Sequence, residues 1–303
     1  MNDEELDFVA RVTGAERARR GDRVQSLWSG YGEIVRVRLE GGSRSAGGDR
    51  ATVIVKSVKP PARVRGKPDD ASHARKRRSY EVELAWYRTF APRCDDHCRV
   101  PAFLGGRAAG GEWLVVLEDL DDAGFPERRR RANGAELDVC LGWLAAFHAR
   151  FLGVAPEGLW KTGTYWHLAT RPDELAAVSD PELRAAAPIL DRQLRAATFQ
   201  TLVHGDAKLA NFCFARGGRA VAAVDFQYVG GGCGMKDVAY LLYGESSASV
   251  ERQQLDAYFK RLREEVARLH PTIDGDALEA EWRALYPIAG ADFRRFLAGW
   301  AGG

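Results

Sequence analysis

The feature that most constrains the fold of this 303-residue chain is a change of pattern near Leu120. Ahead of it, the short segments 24–39, 51–56 and 113–117 are rich in β-branched or alternating apolar residues, which is typical of strands. Beyond it, apolar residues recur at helical spacing, most clearly over residues 136–152. Further helices are predicted over residues 80–90, 181–197, 237–243, 250–270 and 276–300. Strands followed by helices predict an α+β chain in two lobes.

Composition narrows the class of protein. Hydrophobic residues make up 46% of the chain, charged residues 28%, and the net charge is +2, so the overall charge favours neither nucleic acid nor a membrane as partner. No apolar run approaches the roughly 18 residues of a membrane span. Residues 1–12 are acidic and amphipathic, unlike a signal peptide. Five cysteines without framework spacing predict reduced thiols and a cytoplasmic location. Nothing in the sequence indicates an oligomeric state.

Two basic runs, residues 75–78 and 128–131, raise the alternative of nucleic-acid binding. Neither run contains the aromatic residues on which bases stack, and the total charge is small. Both are therefore predicted to be solvated, although the first could also border a nucleotide cleft and attract phosphate. The segment 94–98, with two cysteines, a histidine and two aspartates, lacks the second ligand pair of a structural zinc site and is predicted to be a surface turn.

One constellation of residues carries the chemistry. Asp206 lies in the segment His204-Gly205-Asp206, Asn211 follows five residues later, and Asp225 lies fourteen residues beyond Asn211. An aspartate, an asparagine and a second aspartate with a hairpin's length between the last two can supply one general base and two oxygen ligands for Mg²⁺. This spacing indicates phosphoryl transfer from ATP to a hydroxyl group.

These motifs resemble those of the aminoglycoside phosphotransferase and choline kinase-like superfamily, over roughly residues 24–296. Val224-Asp225-Phe226-Gln227 and the segment 236–242 look most like its ecdysteroid-kinase-like branch. The resemblance implies a protein-kinase-like fold, with a small antiparallel-sheet N-lobe that binds the nucleotide in residues 1–119. It also implies a larger, mainly helical C-lobe for catalysis and substrate binding in residues 120–303.

The resemblance assigns roles to the central motif. Asp206 is expected to be the catalytic base, and Asn211 and Asp225 the ligands of Mg²⁺. Lys208 is similar to the lysine with which Ser/Thr protein kinases meet the transferred phosphate, and a solvated lysine is an equal alternative. Asp237 is expected to cap a helix and to brace the catalytic loop.

The N-lobe contributes a lysine and an acidic partner. Lys56 ends a strand and shares a face with Ile54, where it could hold the α- and β-phosphates of ATP. Glu81 and Glu83 both lie on the following helix. Glu83 falls on the face of Tyr80 and Tyr87, and an acid on an apolar face requires a buried cation. Glu83 is therefore the predicted partner.

Two backbone segments complete the predicted nucleotide site. The turn around Gly30 and Gly32 could bring backbone amides close to the phosphates, with an ordinary hairpin turn as the alternative. Glu118-Asp119-Leu120 is expected to be the hinge whose backbone reads the adenine, so Glu118 and Leu120 are candidate nucleotide contacts. His148, on the apolar face of its helix, is expected to pack rather than to react.

The acceptor is predicted to be a small-molecule alcohol. Gly205 stands where protein kinases place an arginine that reads a phosphorylated activation loop, and Asp237 follows Asp225 too closely for a long activation segment. The C-terminal part is nearly neutral, which disfavours a polycationic aminoglycoside. Its aromatic residues could instead line a pocket for an apolar or amine-bearing alcohol. A nucleotide-binding pseudokinase remains the alternative function.

Overall fold

The computed structural model of the chain describes residues 1–27, 30–42, 51–60, 70–244 and 247–300. The N-terminal part is a five-stranded antiparallel sheet in the order β1-β2-β3-β5-β4. Its strands are β1 (Ala15–Ser26), β2 (Gly32–Gly42), β3 (Thr52–Val58), β4 (Phe103–Ala109) and β5 (Glu112–Glu118). Helices α1 (Asp3–Thr13) and α2 (Asp70–Thr89) belong to the same lobe.

The two faces of this sheet have different neighbours. Val53 and Val55 of β3 are fully buried in a cluster with Val9 of α1, on the outer face. Ile54 and Lys56 alternate with them and therefore lie on the opposite face, where they line a cleft. The sheet thus directs Lys56 toward the second lobe.

The C-terminal part is mainly helical. Its helices are α3 (Gly134–Arg150), α4 (Pro172–Ala176), α5 (Pro181–Arg195), α6 (Met235–Leu241), α7 (Ala248–Leu269) and α8 (Gly275–Trp300). Two small antiparallel pairs join strands β6 (Thr201–Val203) with β9 (Gly230–Gly232) and β7 (Phe212–Phe214) with β8 (Val221–Ala223). This architecture confirms the predicted α+β fold with a sheet-containing N-lobe and a helical C-lobe. In the described part of the chain, no helix is long and apolar enough to span a membrane.

An aromatic cluster joins the two lobes below the cleft. Trp86 of α2 stacks on Phe226 with ring centroids 4.4 Å apart, and Trp143 and Phe147 of α3 surround the same ring. Trp86, Phe147 and Phe226 are completely buried. Since Phe226 follows Asp225 directly, this packing fixes the backbone that presents Asp225.

Some boundaries differ from those predicted. Strand β1 begins at Ala15, whereas the sequence predicted a start near residue 24. It is an edge strand on which most side chains are exposed and Ala18 alone is buried. The first part of the strand therefore lacks the apolar alternation by which a strand is predicted. Helix α2 begins ten residues before the predicted start, in a basic region that the sequence indicated as a loop. The glycine loop 41–48 and Trp28-Ser29 of the predicted turn lie largely or wholly outside the described residues.

Candidate active site

A cavity of about 1070 Å³ lies between the sheet of the N-lobe and the helical lobe. The side chains singled out by the sequence lie on its walls. They include Lys56, Glu83, Glu118, Leu120, Asp206, Lys208, Asn211 and Asp225. The cleft is deep enough to exclude much of the water from a bound ligand, and it joins residues that are far apart in the sequence.

Asp206 lies at the floor of the cleft, in the loop that follows β6. Its side chain accepts hydrogen bonds from Lys208 Nζ at 2.9 Å, from Asn211 Nδ2 at 3.0 Å and from the hydroxyl of Tyr240 at 3.3 Å. Asp206 is only 6% exposed. Burial raises the pKa of Asp206, Lys208 opposes this effect, and the negative charge of Asp225 adds to it. A carboxylate held in this way is suited to accept a proton.

Asp237 organises the loop that carries Asp206. Its carboxylate is completely buried and accepts hydrogen bonds from the backbone N–H groups of His204, at 2.6 Å, and Gly205, at 2.9 Å. His148 Nε2 donates to it at 3.2 Å and accepts from the Tyr258 hydroxyl through Nδ1 at 2.8 Å. Because His148 is fully buried and bonded at both nitrogens, it is a structural residue.

Gly205 is required by the backbone. It adopts φ = +81°, and a Cβ at this position would lie 2.1 Å from the carbonyl oxygen of Tyr228. An arginine cannot occupy this position without moving the loop. The arginine of protein kinases at the corresponding place is therefore incompatible with this loop conformation.

Two oxygens in the cleft fit a hard divalent cation. Asp225 Oδ1 is buried and has no hydrogen-bond partner among the described residues. Asn211 uses its amide nitrogen to donate to the carbonyl oxygen and the side chain of Asp206, which leaves the carbonyl oxygen Oδ1 as the atom available for ligation. One carboxylate and one amide oxygen are ligands that Mg²⁺ accepts, usually together with water and phosphate.

Asp225 has an unusual backbone. Its φ is +69°, in the left-handed region that residues other than glycine rarely adopt. Such strain is of the order of 1–3 kcal/mol and is found preferentially at functional sites. The stacking of Phe226 on Trp86 is one contact that holds this conformation in place.

Lys56 and Glu83 form a buried ion pair, with Lys56 Nζ donating to Glu83 Oε2 at 2.7 Å. Glu83 is 3% exposed, whereas Glu81 is exposed and bonds Arg78. Burial by itself would lower the pKa of Lys56, but the carboxylates of Glu83 and Asp225 outweigh it and raise that pKa above its ordinary value. Lys56 is therefore held as a cation on the roof of the cleft.

The structure gives Gly32 a packing role. Its φ is +136°, and a Cβ would lie 2.0 Å from the carbonyl oxygen of Ser57 on the adjacent strand. Gly30 has φ = +74° and open space around it. Among the described residues that flank this turn, Leu27 and Ile34 line the cleft.

At the hinge, the carboxylate of Glu118 is engaged by hydrogen bonds within the protein. It accepts from the backbone N–H of Ala102 at 3.0 Å and from Arg99 at 2.5 Å. The backbone N–H of Glu118 donates to the carbonyl oxygen of Ala102 at 3.0 Å. Leu120 is buried and lines the cleft.

Two further predictions concern the second basic run, residues 128–131, and the cysteine-containing segment 94–98. Arg128 and Arg129 bond acidic neighbours, Asp121 and Glu136 respectively, so that run is partly neutralised on the surface. Cys98 is buried beside a short helical turn, and the described residues contain no group of three or more His, Cys, Asp or Glu side chains placed to hold a metal ion.

Sequence reasoning missed residues beside Asp206. Tyr240 lies three positions after Asp237 on α6, a spacing that would have placed both on one side of the helix. Tyr165, Arg171 and Arg75 also line the cleft, and they come from a loop and from a helix end whose position depends on the tertiary fold. The basic run 75–78 was expected to be solvated or to border the nucleotide cleft, and Arg75 does line the cleft. No local pattern identifies Tyr165 and Arg171.

The two-lobed fold, the lysine–glutamate pair and the aspartates in the cleft define a protein of the kinase-like class. A model of the phosphotransferase enzyme family matches residues 43–271, which is most of the chain. The chain therefore belongs to this family, and the predicted enzyme class, a phosphotransferase, is confirmed.

Three solved structures are similar to this chain, and the first of them supports the same fold. A microcompartment-associated aminopropanol kinase is 14% identical with a TM-score of 0.51, over 98% of this chain and 94% of that one. An aminoglycoside-3'-phosphotransferase of type VIII is 18% identical with a TM-score of 0.46, over 94% and 99%. A Streptomyces rimosus aminoglycoside phosphotransferase, solved with ADP and streptomycin, is 18% identical with a TM-score of 0.47, over 95% and 99%. No curated protein matches the sequence. The narrower resemblance to the ecdysteroid-kinase-like branch stays a prediction.

Proposed function

We propose that the protein transfers the γ-phosphate of ATP to a hydroxyl group of a small molecule, with Mg²⁺ as cofactor. The observation that carries this proposal is the convergence of five side chains on one cleft. The N-lobe supplies Lys56 and Glu83, and the C-lobe supplies Asp206, Asn211 and Asp225. Residues 1–119 then form the nucleotide-binding lobe and residues 120–303 the catalytic lobe.

The proposed mechanism gives each group one task. Lys56, fixed by Glu83, holds the α- and β-phosphates, and backbone groups around Gly30 and Gly32 cover the triphosphate. The backbone of Glu118 and Leu120 reads the adenine. Asp206 orients the acceptor hydroxyl and accepts its proton, while Lys208, whose ammonium bonds Asp206, meets the transferred phosphoryl group.

Asn211 and Asp225 would hold Mg²⁺. The cation, when bound, neutralises charge on the phosphate oxygens. The Oδ1 of Asp225, which accepts no hydrogen bond from the described residues, and the amide oxygen of Asn211 support this assignment. A cytoplasmic location fits the free cysteines and the use of ATP.

A small-molecule acceptor is favoured over a protein by the short segment between Asp225 and Asp237, twelve positions apart in the sequence. Within it, β9 pairs with β6, and Gly230 approaches Trp160 so closely that a Cβ would lie 2.2 Å from its carbonyl oxygen. This ordered segment has no room for a long loop that docks a peptide.

The test is Asp206→Asn. We expect it to reduce ATP-dependent phosphorylation of an accepted alcohol by at least 100-fold, because a general base contributes about 10²–10⁴-fold. ATP binding, measured by calorimetry with Mg²⁺, should stay within a few-fold of the unmodified protein. Asp276→Asn, at an 86% exposed side chain in α8, is the matched control. Nucleotide binding without turnover in the unmodified protein, over a broad alcohol library, would favour the pseudokinase alternative.

A further inference from the structure

The part of the cleft next to Asp206 is walled by aromatic rings. The Tyr240 hydroxyl donates to Asp206 at 3.3 Å, and the ring of Tyr165 lies 5.8 Å from that of Tyr240. Tyr165 also contacts Tyr228 at 6.0 Å and Phe296 at 5.3 Å, all three in edge-to-face geometry. An acceptor whose hydroxyl reaches Asp206 would therefore place its body against an aromatic surface.

The guanidinium group of Arg171 lies over three of the nearby aromatic rings. The Arg171 guanidinium lies 5.8 Å from the ring centroid of Tyr165, 5.7 Å from that of Phe296 and 5.4 Å from that of Trp300. Arg171 is 7% exposed and is held by the Tyr165 carbonyl at 2.7 Å and by Glu174 at 2.9 Å. A substrate ammonium that sought cation–π contacts would meet this positive charge instead.

A second guanidinium reaches the same region from the N-lobe. Arg75 of α2 donates to the carbonyl oxygen of Thr170, the residue before Arg171, at 2.7 Å and to the Ser72 hydroxyl at 3.2 Å. Both partners are uncharged. Its Nε is buried and has no hydrogen-bond partner within the part of the chain that the structure describes. A charged group with a buried, unused donor atom calls for an acceptor.

The described residues near Arg75 and Arg171 include a further cation and two carboxylates. Lys76 also lines the cleft, and its pKa is lowered by burial and then by the positive charges of Arg75 and Arg171. Glu174 offsets one cation through its bond to Arg171, and Asp173 is exposed to solvent. Two guanidinium groups, those of Arg75 and Arg171, next to one partly buried carboxylate, that of Glu174, favour an anion at the entrance to the acceptor site.

We infer that the acceptor is an alcohol with an anionic group, a carboxylate or a phosphate ester, on an apolar or aromatic body. The anion binds Arg75 at the entrance, with Arg171 and Lys76 close by, and the hydroxyl lies on Asp206. The hydroxyl oxygen attacks the γ-phosphorus of ATP, the bond from that phosphorus to the ADP oxygen breaks, and the hydroxyl proton passes to Asp206. This inference rests on the proposed function and specifies its substrate class.

The experiment compares probes that share one body and one primary alcohol. They are 4-(hydroxymethyl)benzoic acid, its methyl ester, 4-(hydroxymethyl)phenyl phosphate and 4-(aminomethyl)benzyl alcohol. Phosphorylated product is measured by mass spectrometry with ATP and Mg²⁺. We expect kcat/KM for at least one anionic probe to exceed that for the ester and the amine about tenfold or more, since a hydrogen bond to a charged group contributes about 1.5–3 kcal/mol. The relative rates of the acid and the phosphate ester identify the source of the anion.

Two single variants test whether Arg75 binds the anionic group of the probe. Arg75→Gln should raise KM for the preferred anionic probe about tenfold while KM for ATP changes less than twofold. Arg77→Gln is the matched control, because Arg77 lies two positions along the same helix and packs over Trp113, 5.5 Å from its ring centroid. A rise in KM for ATP alone would assign Arg75 to the nucleotide and overturn the inference.

The outcomes separate the two proposals. If the ester or the amine is used as well as the anions, or if no anion shows an advantage, the inference is wrong while the phosphotransferase remains. If ATP and Mg²⁺ do not bind at all, the proposed function itself fails, and the inference fails with it.

Discussion

The ammonium group of Lys56 lies 3.6 Å from the carboxylate of Asp225, so that one cation of the N-lobe lies between two carboxylates, Glu83 from its own lobe and Asp225 from the other. This contact connects the strand that carries the lysine with the residue proposed to bind the metal. The correct position of Asp225 therefore depends on both lobes, and the ion pair has a measurable structural effect apart from its role toward ATP.

Lys56→Met should destabilise the protein by about 3–5 kcal/mol, because it leaves Glu83 buried without its cation. The double variant Lys56→Met/Glu83→Leu should recover most of this loss. In the single variant, Glu83 gains stability by binding a proton, so the deficit should shrink as the pH falls. Urea denaturation at several pH values measures both effects.

Lys59→Met serves as the control for this prediction, because Lys59 is 38% exposed and its buried partner Glu5 keeps hydrogen bonds from Ser57 Oγ and from the backbone N–H of Asn2. Its cost should be about 0–1 kcal/mol. A double variant as unstable as Lys56→Met would show that the unpaired charge of Glu83 is not the cause.

Lys208→Ala should move the acidic limb of the pH–rate profile to higher pH. Burial raises the pKa of Asp206, and Lys208 is the strongest group opposing that rise. A base is active when ionised, so a higher pKa means that activity is lost at a higher pH on acidification. The measurement is kcat/KM against pH, and Lys208→Arg should restore the original limb. An unshifted limb in Lys208→Ala would exclude an electrostatic effect of Lys208 on the base.

At Asp225 we expect the glycine variant to be more stable than the alanine variant, which is the reverse of the usual order. With φ at +69°, Asp225→Gly should be more stable than Asp225→Ala by about 1 kcal/mol, although both should lose phosphotransferase activity. At Asp276, in the first turn of α8, the order should be the ordinary one, with alanine more stable than glycine. Thermal denaturation of the four variants checks this prediction, and alanine ahead of glycine at both positions would refute it.

Asp237→Ala should cost about 2–5 kcal/mol, since it leaves the backbone N–H groups of His204 and Gly205 buried without an acceptor. Asp237→Asn keeps one side-chain oxygen and should cost less. The free energy of unfolding from denaturant titration measures the difference. Equal losses for the two variants would mean that the negative charge, rather than the number of acceptors, holds the loop.

The sequence pattern predicted those helices and strands in which regularly spaced apolar residues form one buried face. Glu83 could be preferred over Glu81 because helical spacing places it among Tyr80 and Tyr87, and the structure places it against Lys56. The edge strand β1 could not be recognised, because its side chains are mostly solvated and its stability comes from pairing with β2. A strand of this kind is visible only after its neighbour is in place.

The acceptor side of the site was beyond prediction for a related reason. Arg75 lies in a basic run that the sequence predicted as either a solvated segment or the border of a nucleotide cleft, and Arg171 lies in a loop nearly one hundred residues later. Their shared contact through Thr170 exists only when the two lobes meet. The sequence also indicated that aromatic residues near the C-terminus could line a pocket. Phe296 and Trp300 do line the cleft, whereas Trp282 is completely buried in the core.

The acidic hinge has a mechanical consequence. Arg36 of β2 bonds Asp119, at 2.5 Å, and Asp121, and Thr52 of β3 donates to Asp119 at 2.8 Å and to Asp122 at 2.6 Å. These bonds attach the segment 119–122 to the sheet, while Leu120 within it is buried against Cys213 and Ala222 of the C-lobe. The connection between the lobes is therefore held from both sides. A change in the angle between the lobes would have to disturb the polar contacts on one side of this segment or the packing of Leu120 on the other.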